Sequence, residues 1–441
     1  MLDSINTNYE NGGGATAIKR KVMRIINLKS IIVVLMAIFT TQAVLAGETE
    51  RRQAKRIHDR LTGVPATTTT INTMEGLLIA DPTGKSAAQH AINTTLNPNA
   101  QSFYNVTVKN FAAPWTNEEQ TVFTPLNDYT ATVVGMVRDG TDFREVLYGN
   151  IIYVGNAAGI APYSNDNNTH YEDLENLGPV AGNLASTSIL QANPQSAITG
   201  LDSTATAGIM TTRAGAMAFF SDGTNRAMFR FTLMNHLCTD LEPLKDTSRT
   251  PDRIRRDVSR SPGGDSRIFL NSCIGCHAGM DGMAGAFAYY EWRYTGAKES
   301  GHLEFFDGVV SGKHLINPDN FEQGYVITDD SWVNYWRNGQ NARLGNRPGD
   351  ASSGWGTATN PLDSHGNSVG NGAKELGMEL ANSKAFAQCQ VDKVFESICL
   401  RDPNVMAVDR TQRDGFVTSF TGNSYDMRGV FTDVAAYCKG S

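Results

Sequence analysis

The sequence predicts a mainly helical protein with many helices and long loops. Apolar residues recur every three to four positions in several segments, which is the spacing of an amphipathic helix. A stretch over 338–372, rich in Gly, Asn, Asp and Ser, predicts a long loop or linker. The length of 441 residues, without an internal repeat, is sufficient for a large core or for two to three subdomains.

The first half of the chain is predicted as a series of short helices separated by turns. Pro82 and Pro98 punctuate this series, and Asp139-Gly140 marks another turn. A polar stretch over 155–185 is predicted as a solvated loop. The predicted helices of this half are 48–61, 70–80, 84–96, 129–137 and 143–154.

The second half contains the clearest amphipathic patterns. Met228, Phe231 and Leu237 share one face of a predicted helix, and an arginine-rich stretch follows it. Similar apolar stripes near the C-terminus predict two further helices. The predicted helices of this half are 224–238, 265–276, 386–400 and 426–438.

The N-terminal segment has the pattern of a secretory signal peptide. Basic residues precede an apolar run over 31–39, and small residues then allow cleavage after Ala46. The run is too short to span a bilayer. Met23 suits this pattern as the true start, which would make 1–22 a leader outside the protein. Because no later segment is long and apolar, we expect a periplasmic or secreted protein without a transmembrane anchor.

Residues 273–277 read Cys-Ile-Gly-Cys-His, and C-x-x-C-H is the attachment signature of a c-type haem. Two thiols at this spacing can add to the haem vinyl groups, and the adjacent imidazole can bind the iron. We therefore expect one covalent haem c held by Cys273 and Cys276, with His277 as the proximal ligand. A dithiol redox pair and a zinc site are the alternatives, but no second C-x-x-C or paired His follows.

The sequence does not determine which residue, if any, is the sixth ligand of the iron. Met280, three residues after His277, is a candidate second contact, although on a continuing helix it projects from the proximal side of the haem. The remaining candidates, each of which is also readily explained as an ordinary core or surface residue, are Met234, His236, Met283, His302 and His314. A filled and an open sixth position therefore remain alternatives.

Arginines close to the motif are candidates to pair with the haem propionates. Arg260 and Arg267 are the nearest in sequence. The alternative is a solvated helix in which these arginines pair with neighbouring aspartates.

Four cysteines lie outside the haem motif: Cys238, Cys389, Cys399 and Cys438. In an exported protein they predict two disulfides, with three connectivities open. Cys399 and Cys438 lie near the ends of two predicted helices, which favours their pairing. The whole chain then divides into an N-terminal helical domain over 47–210, a haem-binding, cytochrome c-like region over 211–337, the linker over 338–372 and a C-terminal helical domain over 373–441.

The segment Cys-Ile-Gly-Cys-His-Ala-Gly-Met-Asp at 273–281 resembles the C-x-x-C-H-x-x-M-D segment of large bacterial cytochrome c proteins, the planctomycete-type families. In those families an Arg-bearing helix precedes the haem segment. The predicted helix 224–238, which carries Arg226, has that position here. The opening at 56–65 and the segment 385–389 are also similar, although Ala66 and Gly282 stand where the family often has Pro. The resemblance implies a mostly helical periplasmic haem protein, without an assigned substrate.

Two main functions are consistent with this motif. The first is electron transfer by an exported monohaem cytochrome. The second is a haem-dependent oxidoreductase of the peroxidase or oxygenase kind with an open sixth position, which the long chain favours. Its substrate cleft would be lined by Trp332, Trp336 and Trp355, although these are also ordinary packing residues. A third alternative is a binding module whose haem is structural or sensory.

The charge of the chain limits its partners. Without residues 1–46 it carries 33 Lys and Arg against 43 Asp and Glu, a formal charge of about −10. An acidic protein is poorly suited to nucleic acid or to anionic lipid. We therefore expect no nucleic-acid partner, and a basic redox protein would suit this surface.

Overall fold

The computed structural model of the chain describes residues 47–315, 321–344 and 354–440. These residues are mainly helical, which confirms the prediction of a mainly α protein. None of the helices described is both long enough and apolar enough to cross a membrane. The predicted leader and signal peptide over 1–46, and residues 345–353 of the predicted linker, lie outside the described residues.

Short helices make up just over half of the described residues from 47 to 219. Several begin at a side-chain cap: Thr67, Asn127 and Thr212 each accept a hydrogen bond from a backbone N–H group of the first turn. The helical segments are 47–62, Thr68–Ala80, Lys85–Ala91, Phe103–Val108 (π-helical), Lys109–Ala112, Ala113–Thr116, Asp128–Asp139, Phe143–Val146, Thr169–Asn176, Gly178–Ala181, Gln195–Thr199, Gly208–Thr211 and Arg213–Phe219.

Two helices in the middle of the chain position the C-x-x-C-H motif. We call Arg226–Leu237 the Arg226 helix and Ile274–Ala284 the motif helix, and they pack against each other. The other helical segments from here on are Pro262–Gly264, Ser266–Ile268, Phe269–Cys273 (π-helical), Gly285–Phe287, Gly312–Leu315, Tyr335–Arg337, Gly339–Arg343, Gly372–Ala381, Lys384–Cys399, Ala407–Gly422 and Met427–Tyr437.

Among the described residues, three antiparallel strand pairs interrupt the helices, and one of these pairs corrects a prediction. The strand pairs are Ile152–Gly155 with Leu190–Asn193, Tyr290–Tyr294 with Gly301–Phe305, and Ser331–Asn334 with Ser368–Asn371. The helix predicted over 143–154 is wrong, since only Phe143–Val146 is helical. Ile152, Tyr153 and Val154 have high strand propensity, and the partner strand lies far away in sequence.

The loop predicted over 155–185 is also partly wrong. It contains the helix Thr169–Asn176, in which His170, Tyr171 and Leu174 are buried. These three residues cover the side of the first strand pair, so tertiary burial stabilises a helix that a polar segment does not predict.

One hydrophobic cluster includes buried residues from Ala54 to Cys438 and so extends across all the expected domains. The last helix, Met427–Tyr437, packs against Lys85–Ala91 near the start of the chain. Arg60 also donates a hydrogen bond of 3.0 Å to the carbonyl oxygen of Cys438. The first and last segments of the described chain are therefore parts of the same core.

Two disulfides link the helices of the second half. Cys399 bonds to Cys438, with 5.4 Å between Cα atoms, which confirms the predicted pairing. Cys238, at the end of the Arg226 helix, bonds to Cys389, with 5.3 Å between Cα atoms. The two remaining cysteines of the chain, Cys273 and Cys276, are unpaired.

Candidate haem-attachment site

The C-x-x-C-H motif lies inside a continuous helical stretch. Asp265 caps its start by accepting a hydrogen bond from the backbone N–H of Arg267. A π-helical turn, Phe269–Cys273, carries the first cysteine, and the motif helix then continues to Ala284. π-helical turns are frequent at functional sites. The expectation that the helix would end at Cys276 is therefore wrong.

Glycines allow the motif helix to continue because its neighbours approach too closely for a side chain. A Cβ on Gly275 would lie 2.9 Å from the backbone of Lys245, and one on Gly282 would lie 2.8 Å from the Val333 carbonyl oxygen. A Cβ on Gly279 would overlap the indole ring of Trp336. These glycines repeat every three to four residues and form one helical face. Packing on that face therefore offsets their low helix propensity.

The motif side chains lie on the opposite side of the helix from these glycines. Cys273, Cys276 and His277 are all half-buried, and the side chain of His277 keeps 23% of its surface exposed. Spacings of three and four residues bring the three side chains to one face. Ile268 and Leu270, in the helical stretch just before Cys273, are 45% and 54% exposed. The motif face therefore presents two thiols and an imidazole together, and exposed apolar side chains precede it in the chain.

The two motif cysteines form no disulfide, whereas the other four cysteines are paired. Sγ of Cys276 donates a long hydrogen bond, 3.5 Å, to the carbonyl oxygen of Leu241. Burial raises the pKa of the Cys276 thiol.

His277 is oriented by a carboxylate one helical turn further on. Nδ1–H of His277 donates a hydrogen bond of 3.2 Å to Oδ2 of Asp281. An ionised carboxylate only accepts hydrogen bonds, so this contact places the proton on Nδ1. Nε2 makes no hydrogen bond to any of the described residues and is the ring atom left for a metal.

Asp281 is a buried carboxylate, with no exposed side-chain surface. Nε and Nη2 of Arg226 donate hydrogen bonds of 2.7 and 3.0 Å to its two oxygens. Burial opposes ionisation of Asp281, but the charge of Arg226 and the hydrogen bond from His277 outweigh it and hold the pKa below its ordinary value. Asp281 therefore remains charged beside His277 at neutral pH.

Arg226 divides its guanidinium between two carboxylates. Nη1 and Nη2 donate hydrogen bonds of 2.8 Å each to the two oxygens of Asp257. The bidentate geometry fixes the plane of the guanidinium and hence its approach to Asp281. The arginine thus acts as the counter-charge of the carboxylate that contacts His277.

A second buried arginine extends this network away from the motif. Nη1 of Arg255 donates a hydrogen bond of 2.8 Å to Nδ1 of His314, and its backbone N–H donates one of 3.4 Å to Asp281. The amide of Asn225 contacts Nε2 of His314 at 3.1 Å. Burial lowers the pKa of Arg255 to about 10, so the side chain stays charged at neutral pH.

Sequence reasoning missed the roles of Asp281, Asp257 and Arg255. The spacing of His277 and Asp281, four residues apart on a helix, was a readable signal. The pairing of Arg226 with Asp257 could not be read from the sequence, because it joins segments 31 residues apart.

The predicted second ligands are engaged elsewhere. Met280 and Met283 are buried in the main hydrophobic cluster, and Met234 packs partly against it. His236, His302 and His314 each have both ring nitrogens in contact with other side chains. The sixth position of the iron therefore stays a prediction without an assigned residue.

The arginines predicted to meet haem propionates have other contacts. Arg267 pairs with Asp265 on the surface, at 2.7 Å. Arg260 donates hydrogen bonds to the carbonyl oxygens of Ile254 and Val258, and lies over the ring of Phe269. The structure does not bring either guanidinium into a hydrogen bond with the motif.

The tryptophans expected to line a substrate cleft are core residues instead. Trp332, Trp336 and Trp355 are all at most 3% exposed and belong to the main hydrophobic cluster. That expectation is wrong, because elements distant in sequence bury these large side chains in the core. The Trp336 ring packs between the motif helix and Phe229 of the Arg226 helix.

The residues of the motif fit a covalently attached haem. Two free thiols at the required spacing and an imidazole with an available Nε2 lie on one face, and exposed apolar side chains lie just before them in the chain. Within the described ranges, no group of three or more His, Cys, Asp and Glu side chains is arranged to hold a metal ion. No model of a known protein family, no curated protein and no solved structure compared with this chain matches it.

Proposed function

We propose that this protein is an exported monohaem c-type cytochrome that transfers electrons. Cys273 and Cys276 bind the haem through thioether bonds, and His277 binds the iron through Nε2. The observation that carries the proposal is the state of the six cysteines. Four form disulfides, and the only two free thiols of the chain are those of the C-x-x-C-H motif.

The residues around the motif support this role through position and charge. The glycine face fixes the motif helix against Lys245, Trp336 and Val333, so the opposite face is held in place. Asp281 keeps the proton of His277 on Nδ1. When bound, the haem supplies one-electron redox chemistry, and the polarity and hydrogen bonding around it set the potential.

The compartment proposed is the periplasm or the extracellular space. Two disulfides form and persist in oxidising compartments, which agrees with the signal-peptide pattern before Gly47. The redox partner is a protein with a basic docking surface, because the exported chain is acidic. The similarity of the motif region to planctomycete-type cytochromes supports the same class of protein.

Acid-solvent extraction tests covalent attachment. The protein is expressed with its signal segment in a bacterium that attaches haem to exported cytochromes, and haem is then extracted from the denatured chain. We expect the wild-type chain to keep its haem, and the double variant C273S/C276S to lose it. The control S272A changes an exposed neighbour on the same helix and should keep the haem. Haem that resists extraction in the double variant contradicts the proposal.

The buried carboxylate on His277 favours a second candidate function. A carboxylate bonded to Nδ1 raises the basicity of a metal-bound imidazole. An electron-rich iron with an open sixth position suits a haem-dependent oxidoreductase of the peroxidase or oxygenase kind. The visible spectrum of the reduced protein distinguishes the two functions. A spectrum unchanged by carbon monoxide indicates electron transfer, whereas a gas-bound spectrum indicates an accessible iron and the second function.

A further inference from the structure

We propose that Asp281 is a positioning residue that lowers the reduction potential of the haem through His277, and that Arg226 limits this effect. The inference rests on the proposed haem attachment and concerns the regulation of the same site. It is carried by one continuous set of contacts, from His277 through Asp281 to Arg226 and Asp257.

The effect of Asp281 follows from its charge and its burial. Its side chain is fully buried, so water screens its negative charge weakly. The charge acts on the Nδ1–H bond of His277 and draws that proton away from the ring. Greater negative charge on the imidazole stabilises the ferric state more than the ferrous state, because the ferric iron is more positive. The reduction potential is therefore lower than with a neutral hydrogen-bond acceptor.

Arg226 opposes this effect because it binds the same carboxylate. Nη2 of Arg226 and Nδ1 of His277 both approach Oδ2 of Asp281, at 3.0 and 3.2 Å. The arginine therefore competes with the imidazole for the charge of Asp281. Asp257 contacts Arg226 and has no hydrogen bond to His277 among the described residues, so it holds the arginine without acting on the ring directly.

The test is redox titration of haem-loaded variants. Asp281→Asn keeps an oxygen that can accept the Nδ1–H bond but removes the charge, so its potential should shift upward. Arg226→Gln removes the competing cation, so its potential should shift downward. Asp281→Glu keeps a carboxylate at this position and should therefore shift the potential less than Asp281→Asn does. Loss of packing alone does not predict shifts of opposite sign.

A spectroscopic measurement distinguishes an effect of the Asp281–His277 hydrogen bond from a general effect of negative charge near the haem. The iron–imidazole stretching band in resonance Raman spectra of the reduced protein reports the negative character of the ring. The band should move to lower frequency in Asp281→Asn. The control Asp240→Asn removes an equal charge from the ion pair with Arg230 on the Arg226 helix. Asp240 makes no hydrogen bond to His277, Asp281 or Arg226 among the described residues, so this variant should leave the band unchanged.

Failure of this inference differs from failure of the proposed function. If Asp281→Asn keeps covalent haem and has the wild-type potential, the role of Asp281 is overturned while the haem assignment stands. An upward shift in Arg226→Gln overturns the role of Arg226. If Asp281→Asn does not fold, the sign of the shift in Arg226→Gln still decides the competition. Absence of covalent haem from the wild-type chain refutes the proposed function itself.

Discussion

The two ends of the Arg226 helix are held by different chemistry. At the first end, Arg226 forms ion pairs with Asp257 and Asp281 beside the half-buried C-x-x-C-H motif. At the other end, Cys238 is bonded to Cys389, and the neighbouring His236 is fully buried. Charges next to the motif act on His277, whereas a covalent bond and neutral packing have no such effect on it. The comparison thus separates a charged end, which contacts the candidate site, from a covalently linked end within the core.

The largest expected effect concerns the disulfide end. Removing the Cys238–Cys389 disulfide, which joins residues 151 apart in sequence, should lower the free energy of unfolding by about 5 kcal/mol on the chain-entropy estimate. Removing Cys399–Cys438, which joins residues 39 apart, should cost about 4 kcal/mol. Urea unfolding of C238A/C389A and of C399A/C438A measures both values.

The same two variants test whether this end is independent of the motif. Neither substitution touches His277, Asp281 or Arg226, so the visible spectrum of the folded, haem-loaded protein should be unchanged. A changed spectrum in C238A/C389A would show that the two ends of the Arg226 helix are coupled, and the comparison would fail.

The next effect concerns the glycine face at the motif end. Gly279→Ala places a Cβ into the ring of Trp336, so we expect a loss of stability of about 2 kcal/mol from overpacking. Gly415→Ala is the matched control, because no atom lies within 4 Å of its added Cβ on the helix Ala407–Gly422. The control should gain up to about 1 kcal/mol from helix propensity. Thermal unfolding compares the two, and equal midpoints would show that Gly279 is not needed for close packing.

The amphipathic helices were predictable from the sequence, because their apolar spacing is local. The helix predicted over 70–80 is observed as Thr68–Ala80, and the one over 426–438 as Met427–Tyr437. The strands were not predictable, since Ile152–Gly155 needs a partner at Leu190–Asn193 that no short window of sequence reveals. The continuation of the motif helix past Gly279 also depends on tertiary neighbours, namely Trp336 and Val333.

The candidate site was predictable only at its centre. The C-x-x-C-H spacing selects Cys273, Cys276 and His277 as candidates without the structure, since haem attachment needs those residues in adjacent helical turns. The partners of His277 needed the structure, because Arg226 reaches Asp281 from another helix. Arg260 and Arg267 were selected by distance along the chain, and that distance does not determine which way a guanidinium points.

The smallest expected effect is a pH dependence of stability at the disulfide end of the Arg226 helix, where burial keeps His236 in its neutral form. Its imidazole contacts the hydroxyl of Tyr129 at 3.0 Å and packs against Trp115 and Phe386. Burial, with a smaller contribution from the charge of Lys393, lowers the pKa of His236 to about 3 from its ordinary 6.5. Between these pH values the unfolded chain binds a proton that the folded chain does not.

Stability must therefore fall as the pH falls from about 6.5 towards 3, by at most about 1.4 kcal/mol per pH unit for this histidine. His236→Gln keeps a side chain that can hydrogen-bond Tyr129 and does not titrate, so its stability should depend less steeply on pH over that range. Urea unfolding at pH 7, 6 and 5 compares the variant with the wild type. The buried His314, whose pKa is also lowered to about 3, contributes equally to both proteins and cancels. Parallel pH dependences would mean that His236 is protonated in the folded protein, and the neutral packing assigned to this end of the helix would be wrong.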